Sequence, residues 1–112
     1  MLKIEIEYKK GILFVRLIGE VNKSTIKTMD IVDNMIKRAG IKYLLINLEK
    51  VVIINQEEII SLISKYKNLI GKDGKLLICG YYDSFKLKVD MKDIDKIYWS
   101  GREVSAFNII NI

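Results

Sequence analysis

Residues 43–70 read YLLINLEKVVIINQEEIISLISKYKNLI and contain two clear structural patterns in succession. Residues 43–48, YLLINL, form a short run that is apolar on both faces, which is typical of a strand buried in a parallel sheet. After Asn55 the apolar residues recur at helical spacing instead; they are Ile59, Leu62, Ile63, Tyr66 and Ile70. The stretch therefore predicts a buried strand followed by an amphipathic helix that ends near Gly71 or Gly74.

The N-terminal residues predict a hairpin. Residues 2–8 alternate between apolar and charged side chains, which is the period of a strand with one wet face. Lys9 to Gly11 read as a tight turn, because glycine readily takes a positive φ. Residues 12–19 are apolar on both faces except for Arg16, so they predict a central strand antiparallel to the first.

A helix is predicted between this hairpin and the buried strand. Ser24 to Arg38 fits it, with Asn22 or Ser24 as its cap and Gly40 in the left-handed position after its end. Its predicted apolar positions are Met29, Val32, Ile36 and Ala39. Strand, helix and strand make one crossover unit, which should be right-handed.

The C-terminal third predicts two more strands, each followed by a helix. Residues 75–81 are apolar on both faces and predict a strand, and residues 96–99 predict an edge strand. A short third helix is expected from Asp83 or Ser84 through about Asp90. Ser100 and Glu103 have the spacing of a capping box, which predicts a last helix with Val104 and Phe107 facing the sheet.

The expected order is therefore β-β-α-β-α-β-α-β-α. It predicts an α/β fold: a mixed, mostly parallel sheet with an antiparallel N-terminal hairpin strand and about four helices packed on it. With 112 residues, the chain is expected to form a single domain, residues 1–112.

Composition excludes several classes of function. The chain contains no histidine and one cysteine, Cys79, so no catalytic histidine, disulfide or structural zinc site is expected, and neither is a cofactor or bound metal. The net charge of +5 comes from lysines spread along the chain, which does not favour direct nucleic-acid binding. Neither a membrane span nor a signal peptide is expected, which favours a cytoplasmic protein. The lack of histidine and of any recognisable catalytic motif predicts a protein without enzymatic activity.

The chain resembles the STAS domain, and most of all the bacterial anti-sigma factor antagonists of the sporulation type. The resemblance covers nearly the whole chain and is carried by RLIGEV at 16–21, INLEKV at 46–51, KYKNL at 65–69 and KLLICG at 75–80. It implies a protein that binds an anti-sigma factor and so frees a sigma factor. In that family the second helix begins with Asp-Ser-Ser-Gly or a variant, in which one hydroxyl is phosphorylated by a partner kinase.

Residues 55–58, NQEE, replace that motif. The resemblance places Glu57 at the second serine, so the position equivalent to the phosphosite cannot be phosphorylated. One interpretation is structural: Asn55 caps the helix, Glu58 returns a bond to it, and both acids stabilise the helix dipole. The other is functional: Glu57 partly imitates the phosphorylated state on a surface that docks a partner. The predicted partner-binding residues are Asn22, Lys23, Ser24, Asn55, Gln56, Glu57, Glu58 and Ile60.

The expected function is regulation of a sigma factor or stress pathway by binding an anti-sigma factor, a kinase or a related regulator, without the serine switch. One alternative is a sensor of a small ligand or nucleotide on the same fold. Another is a structural module that oligomerises, and a weak homo-oligomer is compatible with each of these functions.

Overall fold

The computed structural model describes residues 1–52, 56–80 and 97–110, the side chain of Gln56 excepted. The strands are β1 (Leu2–Lys9), β2 (Ile12–Glu20), β3 (Tyr43–Val52), β4 (Lys75–Cys79) and β5 (Ile97–Trp99). The α-helices are α1 (Asp30–Ala39), α2 (Gln56–Ile70) and α3 (Ala106–Ile110), and two 3-10 turns span Ile26–Met29 and Glu103–Ser105.

The strands form one sheet in the order β1-β2-β3-β4-β5. β1 pairs with β2 antiparallel, and the other neighbours are parallel, as the sequence predicts. The described residues contain three α-helices rather than the expected four or so. The short helix predicted through about Asp90 lies outside the described residues.

The predicted hairpin turn is confirmed. Lys10 and Gly11 have φ values of 52° and 83° and connect Lys9 to its partner Ile12. Positive φ at both central residues is the type I′ arrangement, whose twist matches that of the two strands. The turn therefore sets the register of the whole hairpin.

The two faces of the sheet are covered unequally. We call the face that carries Leu13, Val15, Leu44 and Ile46 the first face; its side chains share one large core with the buried residues of α1 and α2. The opposite, second face carries a smaller core of Ile12, Phe14, Leu45, Leu77 and Cys79, with Ala106 and Ile110 of α3. Among the described residues, α3 is the helix that packs on the second face.

The first helix begins later than predicted. The Asn22 Oδ1 accepts hydrogen bonds from the backbone amides of Ser24 and Thr25 at 2.9 and 3.0 Å, which holds these residues in a turn. A 3-10 turn follows before α1 starts at Asp30. Ala39 is exposed, so its predicted place in the core is wrong, but Gly40 ends the helix with the predicted positive φ, 62°.

β3 runs four residues further than the predicted strand, and this longer strand contains a bulge. Arg16 pairs with Asn47 and Ile18 with Lys50, so β3 holds one extra residue between these pairs. The Asn47 Oδ1 accepts the backbone N–H of Glu49 at 2.8 Å. This bond satisfies an amide at the irregular point of the ladder.

The C-terminal capping-box prediction is wrong. The Ser100 hydroxyl donates to the Arg102 carbonyl oxygen, and the Glu103 side chain is directed to other residues, described below. Val104 is 60% exposed, which contradicts its predicted position facing the sheet. Phe107 does face the sheet, since its ring lies 5.8 Å from that of Phe14.

Candidate functional site

The two segments predicted to bind a partner follow the carboxyl ends of two neighbouring strands, at the same end of the sheet. β2 and β3 are parallel, and Glu20 pairs with Val52 at their carboxyl ends. Residues 22–24 follow directly after β2, and the start of α2 follows β3. We call residues 22–24 and 56–58 the carboxyl-edge surface. In α/β sheets this edge is the usual location of binding sites.

The turn after β2 is held by its own side chains. Besides its two backbone bonds, the Asn22 Oδ1 accepts the Ser24 hydroxyl at 2.6 Å. The Thr25 hydroxyl donates to the Glu20 carbonyl oxygen at 2.8 Å and accepts the Asn22 backbone N–H at 2.9 Å. Lys23 and Ser24 are exposed, so this ordered turn presents a cation and a hydroxyl to solvent.

The first turn of α2 is acidic, as predicted. Glu57 is exposed and Glu58 is half-buried, and both lie where the positive end of the helix dipole favours a negative charge. The predicted cap, Asn55, and the side chain of Gln56 lie outside the described residues, so the capping interpretation stays a prediction.

Ile60 does not belong to a docking surface. It is 7% exposed and lies in the large core of the first face. Ile60 is buried because the apolar face of α2 is wide enough to include both Ile59 and Ile60. Ile60 therefore stabilises the position of α2 instead of contacting a partner.

A polar cluster joins the two helices that follow the carboxyl-edge surface. The buried Tyr66 hydroxyl of α2 donates to the Asp33 carboxylate of α1. The second oxygen of Asp33 accepts the Lys65 ammonium at 2.8 Å. Burial, together with this carboxylate, raises the pKa of Tyr66. The cluster therefore fixes α1 relative to α2.

A second polar cluster, on the second face, is absent from the sequence-based prediction. Both carboxylate oxygens of Glu103 accept from the Arg16 guanidinium at 2.8 Å, and the Asn47 amide donates to one of them at 2.8 Å. Arg16 also donates to Glu7 at 2.9 Å. The Arg16 hydrogen bonds hold the pKa of Glu103 below its usual range. Arg16 was the feature of the sequence that indicated this cluster, because a lone cation in an apolar strand requires a partner.

An open cavity of about 670 Å³ lies beside this cluster. Its lining includes Arg16, Asn47, Gly80 and Glu103. Gly80 has a φ of 72°, and a Cβ atom there would come within 2.3 Å of the Glu49 backbone nitrogen. Glycine is thus required where the end of β4 passes close to the bulge of β3.

Cys79 also lines the cavity, as a buried free thiol. It is 1% exposed, and burial raises its pKa to about 12. The predicted burial of Cys79 is therefore confirmed, and its raised pKa agrees with the expected inert thiol. No helix of the described residues is long and apolar enough to cross a membrane.

Comparison with known proteins agrees with the resemblance seen in the sequence. No family model matches the chain. Over 97 residues the chain is 26% identical to the anti-sigma F factor antagonist of Paenibacillus polymyxa, a match that covers 86% of this chain and 83% of that protein.

Solved structures of two anti-sigma factor antagonists share the fold. The unphosphorylated form of SpoIIAA matches with a TM-score of 0.73 and 11% identity, over 99% of this chain and 98% of that one. The antagonist from Mycobacterium paratuberculosis matches with a TM-score of 0.76 and 16% identity, over 100% and 96%. The chain therefore has the SpoIIAA-like fold, and in sequence it is similar to an anti-sigma factor antagonist.

Proposed function

We propose that this STAS-like domain is a non-catalytic cytoplasmic regulator that binds an anti-sigma factor or a related kinase through its carboxyl-edge surface. The observation that carries the proposal is the similarity over 97 residues to an anti-sigma F factor antagonist. The geometry supports it, because the two surface segments lie at the ends of adjacent strands that pair at Glu20 and Val52.

The surface is suited to binding because much of it is already ordered. The hydrogen bonds of Asn22 and Thr25 fix the first segment, and the Tyr66–Asp33 bond fixes the helices behind both segments. Ordered segments lose less conformational entropy when a partner binds. Lys23 and Glu57 give the surface one exposed charge of each sign, which would select a partner with complementary charges.

The second part of the proposal is that binding is not switched by phosphate. Glu57 stands where the related motif carries a hydroxyl, and a carboxylate carries a permanent single charge where a phosphoserine carries nearly two. Ser61 lies one helical turn further along α2, so it does not replace the missing hydroxyl. The domain would then hold one binding state constitutively.

Isothermal titration with purified anti-sigma factors and kinases from the same genome tests the binding surface. We expect Lys23→Glu to weaken binding by about tenfold, because it reverses a charge within the contact. Lys37→Glu is the matched control: Lys37 is exposed in the last turn of α1, at the opposite edge of the sheet. Equal effects of the two variants, or no binding to any such protein, would contradict the proposal.

Incubation with the bound kinase and ATP tests the switch separately. We expect mass spectrometry to find no phosphate on the natural chain and to find it on the Glu57→Ser variant. Phosphate on Ser61 or Ser64 of the natural chain would show that a switch is present. If Glu57→Ser changes neither labelling nor affinity, Glu57 acts only on the stability of α2.

A small-ligand or nucleotide sensor is a second candidate function, favoured by the open cavity of about 670 Å³ on the second face. Such a volume lies within the usual range for small-molecule sites. A rise in melting temperature with one member of a nucleotide and metabolite set would support this function. That rise should be lost in an Asn47→Ala variant if the cavity is the site.

A further inference from the structure

β1 leaves one long strand edge open. It is the outermost strand of the sheet, spans Leu2–Lys9, and has no second neighbour among residues 1–52, 56–80 and 97–110. The other edge strand, β5, has only three residues, Ile97–Trp99. An open edge presents unpaired backbone groups, which favours pairing with another strand.

The hairpin register shows which backbone groups face outward. The Met1 carbonyl oxygen accepts the Glu20 backbone N–H at 3.3 Å, so odd-numbered residues of β1 exchange hydrogen bonds with β2. Because this pattern alternates in an antiparallel pair, the even-numbered residues direct their N–H and C=O groups to the open edge. These residues are Leu2, Ile4, Ile6 and Tyr8.

Four symmetric antiparallel registers pair at least five residues of β1 with a second copy, and the charges of β1 favour one of these four. Charged side chains normally protect an edge from pairing. In an antiparallel pair of two β1 strands, registers centred on Glu5 or Glu7 place a glutamate opposite itself, and a register centred on Ile6 opposes like charges. The register centred on Ile4 instead places Lys3 opposite Glu5 twice. Opposite charges at such positions stabilise a sheet.

We propose that β1 pairs antiparallel with β1 of a second copy of this chain, centred on Ile4, to form a weak symmetric dimer with one continuous sheet. Lys3 and Glu5 are exposed, and neither side chain has a hydrogen bond or ion pair within the described part of the chain, so both are available for the dimer. Pairing covers the half-buried Ile4 and Ile6 and forms about six backbone hydrogen bonds.

The dimer goes beyond the proposed function and does not compete with it. β1 lies at the side of the sheet, whereas the carboxyl-edge surface lies at the ends of β2 and β3. One strand pair buries less area than stable dimers need, so association should be weak. Each copy would therefore keep its partner-binding surface exposed.

Sedimentation equilibrium from micromolar to millimolar protein tests the dimer. We expect the natural chain to dimerise and Lys3→Glu to raise the dissociation constant by about tenfold, because two opposite-charge pairs become like-charge pairs. The double variant Lys3→Glu/Glu5→Lys should return to within about threefold of the natural value, since it restores both pairs. Circular dichroism checks that each variant is folded.

Lys9→Glu is the matched control on the same strand, because Lys9 lies beyond the paired segment in this register and should leave the dissociation constant unchanged. Amide shifts on dilution should be largest at Leu2, Ile4 and Ile6. A protein that stays monomeric at millimolar concentration overturns the proposal. So does a double variant that remains as weak as Lys3→Glu, or a set of amide shifts that lies away from β1.

Discussion

Replacing Glu103 by glutamine should destabilise the protein by about 2 kcal/mol near neutral pH. The carboxylate accepts three hydrogen bonds of 2.8 Å, two from Arg16 and one from Asn47. Hydrogen bonds to charged groups contribute roughly 1.5 to 3 kcal/mol. The Arg16 and Glu103 side chains are 32% and 24% exposed, so solvent screens part of that energy. Glutamine also turns an amide N–H group towards the guanidinium.

The effect should depend on pH, because Glu103 is a carboxyl whose pKa is lower in the folded protein. Its contribution is complete above the ordinary carboxyl pKa of 4.5 and is lost as the pH falls through the lowered value. Urea unfolding followed by circular dichroism, near pH 7 and at about pH 2 to 3, measures both values. The difference between the natural chain and Glu103→Gln should shrink in acid.

Glu49→Gln is the matched control for this experiment. Glu49 lines the same cavity and is exposed, and its carboxylate accepts no hydrogen bond from the described residues. We expect it to change the free energy of unfolding by less than about 0.5 kcal/mol. Equal losses in the two variants, or a Glu103→Gln effect that does not vary with pH, would refute the reasoning.

Two further substitutions test the packing around the sites. Tyr66→Phe should lower the free energy of unfolding by about 1 to 3 kcal/mol, because it leaves Asp33 without its buried donor. Because the pKa of Tyr66 is raised above 10.0 in the folded protein, the free energy of unfolding of the natural chain, measured with urea, should also fall as the pH rises above 10.0. Gly80→Ala should lower the melting temperature much more than Gly40→Ala, because the added Cβ would lie 2.3 Å from the Glu49 backbone nitrogen at Gly80 and meets no atom within 4 Å at Gly40. Similar changes in melting temperature for the two variants would contradict this prediction.

Local patterns predicted most of the fold. The two-residue turn at Lys10 and Gly11, the apolar face of α2 and the glycine after α1 depend on neighbours in the chain, so the sequence displays them directly. The parallel pairing of β2 and β3 was also predicted, and it puts residues 22–24 and 56–58 at the same end of the sheet; their role in binding stays a prediction. The burial of Ile60, which was predicted to bind a partner, required the structure.

The second polar cluster could not be read from local patterns. Arg16 and Glu103 are 87 positions apart, and the spacing of Ser100 and Glu103 favoured a capping box instead. The capping prediction fails because a guanidinium offers Glu103 two charged hydrogen bonds, which outweigh one bond to a backbone amide. Arg16 signalled that a partner was needed, but several acids along the chain could have supplied it.

The bulge in β3 inverts the parity of the strand. Up to Leu48 the even-numbered residues of β3 face the large core, whereas beyond the extra residue the odd-numbered Val51 packs there and Lys50 lies exposed opposite Ile18. If the same residues continued the ladder without the bulge, even parity would persist and would turn the Lys50 ammonium group inward and Val51 outward. The extra residue therefore lets the strand continue along the core while its lysine stays in solvent.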